Sequence, residues 1–167
     1  MIIYTIGHTK RTAREFFESL KFRNVQMLID IRLKNSSNLL RFSTGGKDDL
    51  GYLLEFINCQ YVHRPDYAPS AEILDAYKKK KISWPEYEER YRNLMTERKS
   101  VEDFLIEFEG IYETVCLLCS EPTPENCHRR LFAEMILERR PDFELEHIIF
   151  RKKSKRKRKN QNERSES

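Results

Sequence analysis

The sequence predicts an α/β domain of three layers with a mainly parallel sheet and a helical insertion. Three observations carry that reading. Apolar, strand-like runs alternate with helix-period runs along the chain. The strand-like runs are separated by helical stretches rather than tight turns, which favours parallel pairing through crossovers. Polar residues uncommon in a core recur where the predicted strands end, the edge on which open parallel sheets bind ligands.

The elements follow in order. Residues 2–6 are apolar and β-branched and stop at Gly7, as a buried strand does. Thr12 and Glu15 form a capping-box pair ahead of Phe16, Phe17 and Leu20, which starts the first helix. Residues 25–31 are the second strand, and 33–46 read as loop around Asn35, Ser36, Ser37 and Gly45-Gly46. Leu50, Leu53, Leu54 and Ile57 give 48–57 helical spacing, and residues 60–63 are a short strand. Ser70 caps a helix to Lys79, and Ser83 or Trp84 opens another, with Pro85 in the first turn where its missing N–H costs nothing. A helix over 101–112, a buried strand over 114–118, a helix over 125–139 and a strand over 145–150 complete the chain. Residues 70–112 form the insertion on the sheet.

The chain has 167 residues and a formal charge of +4, which is unevenly placed. Residues 151–167 hold nine Lys and Arg against Glu163 and Glu166, a net +7, leaving residues 1–150 at −3. The expectation is one domain over 1–150 and a disordered basic tail. With 39% hydrophobic and 11% aromatic residues the body is too rich in large side chains for a disordered chain. No apolar run is long enough to span a membrane. Four cysteines without a secretion signal point to reduced thiols in the cytoplasm.

Three groups of residues carry the chemistry: Thr5-Ile6-Gly7-His8-Thr9 after the first strand, Asp30-Ile31-Arg32 and then Ser36 after the second, and Cys119-Ser120-Glu121 with Cys127-His128-Arg129-Arg130 after the long strand. Asp30 and Arg32, two apart on a strand, share a face and suit either a structural ion pair or a site. Cys127 is placed in the first turn of a helix, where free N–H groups and the helix dipole favour a thiolate or a bound anion. Arg129 or Arg130 adds a guanidinium fork for phosphate or carboxylate. Cys116 and Cys119 are three apart and point to opposite faces of a strand, so their C-x-x-C is not a zinc knuckle; Cys116 and Cys59 read as core thiols. Cys119, Cys127, His128 and His8 are zinc-type ligands, but nothing in their spacing demands a metal, and none is assigned. Tyr87 and Tyr91, four apart, read as a core stripe, and Lys78 to Lys81 as a solvated helix end.

These motifs resemble the family known as domain of unknown function 488. The resemblance rests on Thr5-Ile6-Gly7-His8-Thr9, Leu28-Ile29-Asp30-Ile31-Arg32, Leu117-Leu118-Cys119-Ser120-Glu121 and Cys127-His128-Arg129-Arg130, joined by Tyr87 to Tyr91 and His147-Ile148. Thr9 stands where the family commonly has serine, and the usual proline between the Asp-x-Arg motif and the serine is replaced by Lys34-Asn35. The resemblance implies Rossmann-like layering and one shared site; it implies no reaction.

The leading expectation is a small enzyme acting on an anionic, nucleotide- or phosphate-bearing ligand. Its catalytic candidates are Cys119, Glu121, Cys127, His128 and His8, with a cysteine as nucleophile and a histidine as proton carrier. Its ligand-binding candidates are Thr5, Gly7, Thr9, Asp30, Arg32, Ser36 and Arg129. The residues do not identify a cofactor. Two other readings stand beside it: nucleic-acid binding through the tail 151–167, and a ligand-binding module without chemistry.

Overall fold

A computed structural model describes residues 1–35 and 49–150. The sequence readings that involve Ser36, residues 37–48 and the tail 151–167 lie outside the described residues.

Five parallel strands form one sheet: β1 (Ile2–Gly7), β2 (Met27–Asp30), β3 (Gln60–His63), β4 (Thr114–Cys119) and β5 (Glu144–Ile148). Their order is β3-β2-β4-β1-β5. The six α-helices among the described residues are α1 (Ala13–Phe22), α2 (Asp49–Glu55), α3 (Ala71–Lys78), α4 (Trp84–Glu97), α5 (Ser100–Phe108) and α6 (His128–Arg139). A short 3₁₀ turn, Pro65–Tyr67, precedes α3. No described helix is long and apolar enough to cross a membrane.

The pleat divides the core in two. Ile3, Met27, Ile29, Val115 and Leu117 pack with α3, α4, α5 and α6, while Tyr4, Ile6, Leu28, Cys116 and Leu118 pack with α1 and α2. Successive side chains alternate between the two cores, as a strand covered on both faces requires. The three-layer parallel reading therefore holds, and residues 70–112 become α3 to α5, packed beside α6. The Thr12–Glu15 capping box forms, and Ser70 and Ser83 each accept a backbone N–H at their helix starts. Tyr87 and Tyr91 are buried in the α4 seam, and Cys59 and Cys116 are core thiols.

Several boundaries differ from the sequence reading. The last helix begins at His128 rather than at 125, which makes Cys127 its N-cap and not a member of its first turn. The segment Pro122 to Asn126 stays irregular, since the residue before a proline is disfavoured in helical backbone and two prolines fall in this stretch. The strand expected over 145–150 spans Glu144–Ile148, and the helix expected over 101–112 ends at Phe108.

Beyond the ladder, β1 and β4 stay joined: His8 N–H donates to the Cys119 carbonyl at 3.1 Å and Thr9 N–H to that of Ser120 at 3.2 Å. This draws the 120–122 segment onto Gly7. A Cβ on Gly7 would lie 1.7 Å from the Glu121 carbonyl oxygen, a backbone atom that has no rotamer to escape into. Gly7→Ala is therefore expected to destabilise the fold by about 2–3 kcal/mol, read as a lower midpoint in urea at unchanged slope. An unmoved midpoint would show that the close approach is not what requires glycine.

Candidate functional site

The site lies past the C-terminal ends of β2, β4 and β1, three neighbours in the sheet. The chain leaves β1 and β2 toward α1 and α2 but leaves β4 toward α6, so the connections part on opposite faces there. Such a switch point opens a crevice between diverging connections. Two polar clusters meet across it, one from each face.

The first cluster is built on β2 and β3. The fully buried Asp30 carboxylate is held by a fork from Arg32, Nε to Oδ1 at 2.8 Å and Nη2 to Oδ2 at 2.6 Å. Tyr61 Oη donates to the same carboxylate at 2.9 Å. That contact follows from register, because Tyr61 and His63 flank the strand position paired with Ile29. Burial, followed by the neighbouring Asp30 charge, pushes the Tyr61 phenol up to about 12. His63 Nε2 donates to the Arg32 carbonyl at 2.8 Å and fixes the turn that follows β2. The Asp30 fork and phenol keep Arg32 charged and oriented, with Nη1 left over.

Arg32 Nη1 reaches His8 Nε2 at 3.3 Å. A guanidinium only donates, so Nε2 accepts and the ring is neutral with its proton on Nδ1. Burial first, and the Arg32 charge second, lower His8 to about 4 against the pull of Asp30. His8 Nε2 also lies 3.3 Å from the Ser120 hydroxyl, which ties β1 to the turn after β4.

The second cluster faces α6. Cys119 ends β4, Cys127 caps α6, and His128 and Arg129 are the first two residues of that helix. All four are buried. His128 Nε2 lies 2.9 Å from the Ile31 carbonyl, which only accepts, so Nε2 carries a proton and donates it there. Cys119 Sγ is 3.7 Å from Nδ1. The hydrogen-bonding interaction with Cys127 leads, and with the Glu121 backbone, the Arg129 charge and the Ser120 backbone it holds the Cys119 thiol below its ordinary value in spite of burial. The same burial, which leads, and the same hydrogen bond push Cys127 well up. One ligand atom each from Cys119, Cys127 and His128 lies within 4.8 Å of the others, the set among the described residues able to hold a metal.

Arg129 is the largest fully buried side chain. Its Nε donates to Thr5 Oγ1 at 3.4 Å, and its Nη1 to the Glu121 carbonyl and, at 3.4 Å, to Cys127 Sγ. Thr5 Oγ1, which accepts from Arg129, also hydrogen-bonds His147 Nδ1, 2.8 Å away. Arg129 Nη2 is buried without a hydrogen-bond partner. Among the described residues no carboxylate lies within ion-pair distance of this guanidinium.

Cys119, Cys127, His128, His8, Asp30, Arg32, Arg129, Thr5 and Gly7 thus come together. Glu121 enters through its backbone; its carboxylate belongs to an exposed residue. Thr9 donates its hydroxyl to the Ser120 carbonyl at 2.7 Å and braces the turn. Sequence reasoning missed Tyr61, His63 and Arg11. Arg11 donates from Nε to the Gly7 carbonyl and from Nη2 to that of Pro122 at 3.1 Å, with its guanidinium 3.6 Å from the Phe150 ring. The Tyr61-x-His63 alternation was the available signal for β3; Arg11 offered none, since its partners are all backbone carbonyls and a ring distant in sequence.

Two outcomes test this geometry. Asp30→Asn leaves the Arg32 charge buried without its counter-ion and is expected to cost about 3–5 kcal/mol; adding Arg32→Met should recover much of that, as a urea-unfolding double-mutant cycle would show. His8 takes up a proton in the unfolded chain near pH 6.5 but in the folded chain only near pH 4. Its contribution is therefore complete above pH 6.5 and falls as the pH drops toward 4. NMR titration should place the His8 midpoint near 4, and His8→Gln should flatten the loss of stability in that window; a midpoint near 6.5 would contradict the neutral ring.

Comparison with curated proteins and with solved structures returned no match. A family model described as "Domain of unknown function DUF488" matches residues 12–136, which span β2, β4, Cys119, Cys127 and Arg129. The chain belongs to the DUF488 family.

Proposed function

We propose that the chain is a small enzyme that binds an anionic, nucleotide- or phosphate-bearing ligand at this edge, with a cysteine or histidine as the reacting group. The observation that carries the reading is Arg129: a fully buried guanidinium with an unpartnered Nη2 and, among the described residues, no carboxylate within ion-pair distance. A buried charge left without a counter-ion is costly, and a buried polar atom without a partner calls for an explanation in function or in a bound species. An anion at Nη2 supplies both. Excluded from water, the attraction between that anion and the fork is stronger than at an exposed surface.

The neighbouring groups suit chemistry on such a ligand. Cys119 stands at the end of the central strand, where its surroundings hold the thiol below its ordinary value. His8 is neutral and has a lone pair beside Arg32 and Ser120, as a proton acceptor needs. Arg32, whose charge is committed to Asp30, positions His8 and adds its Nη1 to the ligand's side of the cluster.

A thermal-stabilisation screen tests the reading, with inorganic phosphate, sulfate and nucleoside monophosphates as probes. A ligand at a hundred times its Kd should stabilise the wild-type chain by about 2.7 kcal/mol. Arg129→Lys keeps the charge and loses the fork, and the stabilisation should fall at least tenfold in apparent affinity. If no anion stabilises the wild type, or if Arg129→Lys responds like the wild type, the reading is wrong.

A further inference from the structure

We propose that Cys119, Cys127 and His128 bind a divalent metal ion of the zinc type, leaving a fourth position open. The three residues come from the end of β4 and the start of α6, and one donor atom of each lies within 4.8 Å of the other two. Zinc–sulfur and zinc–nitrogen bonds of about 2.3 and 2.0–2.1 Å, set at a tetrahedral angle, place sulfur and nitrogen about 3.6 Å apart. Cys119 Sγ and His128 Nδ1 are 3.7 Å apart with no ion between them.

The surroundings match what a metal–thiolate site asks of its protein. A ligating histidine has its other ring nitrogen donating to a carbonyl or carboxylate, which fixes the tautomer. His128 does this through Nε2 and the Ile31 carbonyl. Arg129 Nη1 donates to Cys127 Sγ at 3.4 Å, so that sulfur has a donor ready for the negative charge it carries when ligating. Cys59 and Cys116 are excluded, since both lie in the core on the α1–α2 side of the sheet. Capture requires one adjustment. Cys119 Sγ is equally far, 3.7 Å, from both nitrogens of the His128 ring, so the ring must tilt about its Nε2–Ile31 hydrogen bond to aim Nδ1 at the sulfurs.

The balance is simple. Both thiols release their protons to solvent as the two metal–sulfur bonds form, and two thiolates neutralise the dication. Arg129 is then the excess charge beside the metal. Two sulfurs, one nitrogen and an open position form the pattern of a catalytic rather than a structural zinc site. With metal bound, the sulfurs are ligands and the reacting group is whatever occupies the fourth position.

Cobalt titration of the chelator-treated full chain tests the proposal. One equivalent of Co²⁺ should develop the ligand-field bands and thiolate charge-transfer absorption of a tetrahedral site, and Zn²⁺ should displace them. Cys119→Ser, Cys127→Ser and His128→Asn should each weaken binding at least a hundredfold. The Cys59→Ala/Cys116→Ala double variant, which keeps the site, should titrate like the wild type. X-ray absorption of the zinc-loaded wild type, which depends on no variant folding, should find two sulfur neighbours at about 2.3 Å and a nitrogen at about 2.0 Å. No tetrahedral cobalt spectrum in the wild type, a spectrum that survives the loss of both Cys119 and Cys127, or zinc neighbours other than two sulfurs would each overturn it. The anion reading fails separately, in the phosphate and nucleotide screen on the metal-free chain.

Discussion

Arg129 is the second residue of α6, and its guanidinium is the point to which the other parts of the site are fastened. It binds the Glu121 carbonyl, the Thr5 hydroxyl and the Cys127 sulfur, and so ties together β1, the segment after β4 and the start of α6. A charge in that position stays buried only because each neighbour turns a lone pair toward it. The arrangement also explains why Gly7 has no side chain. The 120–122 segment is drawn over β1 until a Cβ would overlap the Glu121 carbonyl and crowd Arg129 at 3.1 Å.

The site has two halves with different electrostatic economies. On the α1–α2 side, Asp30 and Arg32 neutralise one another, and Tyr61 completes the carboxylate's hydrogen bonds. On the α6 side, a positive guanidinium touches the Cys127 sulfur beside the Cys119–His128 contact, and among the described residues no carboxylate pairs with it. The halves are joined by neutral contacts: His8 to Ser120, and His128 to the Ile31 carbonyl. The balanced half therefore acts as a scaffold, while the other half holds a buried positive charge among sulfur, hydroxyl and carbonyl partners. Burial acts on the two in opposite senses, stripping the proton-binding tendency from His8 while the surroundings of Cys119 outweigh burial there.

Much of this was legible in the chain, for identifiable reasons. Strand-period apolar runs and the Thr12–Glu15 box are local signals, and the structure has elements where they stand. The grouping of His8, Asp30, Arg32, Cys119, Cys127 and Arg129 followed from the rule that ligand sites gather at the carboxyl ends of parallel strands. What was not legible depends on register and on distant backbone. Tyr61 meets Asp30 only because β3 pairs with β2 in one alignment. Arg11 serves carbonyls of three separate segments. The role of Glu121 was misplaced because a side chain's type says nothing about the use of its main chain. The start of α6 was set too early because the Pro122-Thr123-Pro124 stretch is followed by residues with ordinary helical propensity, and only the fold shows where the turn begins.

The strand order has a consequence for how the chain is assembled. β1 pairs only with β4 and β5, and β2 lies beyond β4, so the first strand made has no partner until residue 114 has been synthesised. Before then only β2 and β3 can form a ladder. The central strand must then slide between two earlier ones, and it brings Cys119 with it. Contacts of such long sequence separation are slow to form and leave apolar strand edges open in the meantime. The Cys119 sulfur is thus installed at the same moment as the sheet is closed, and no partly folded fragment of the N-terminal half can display the cluster.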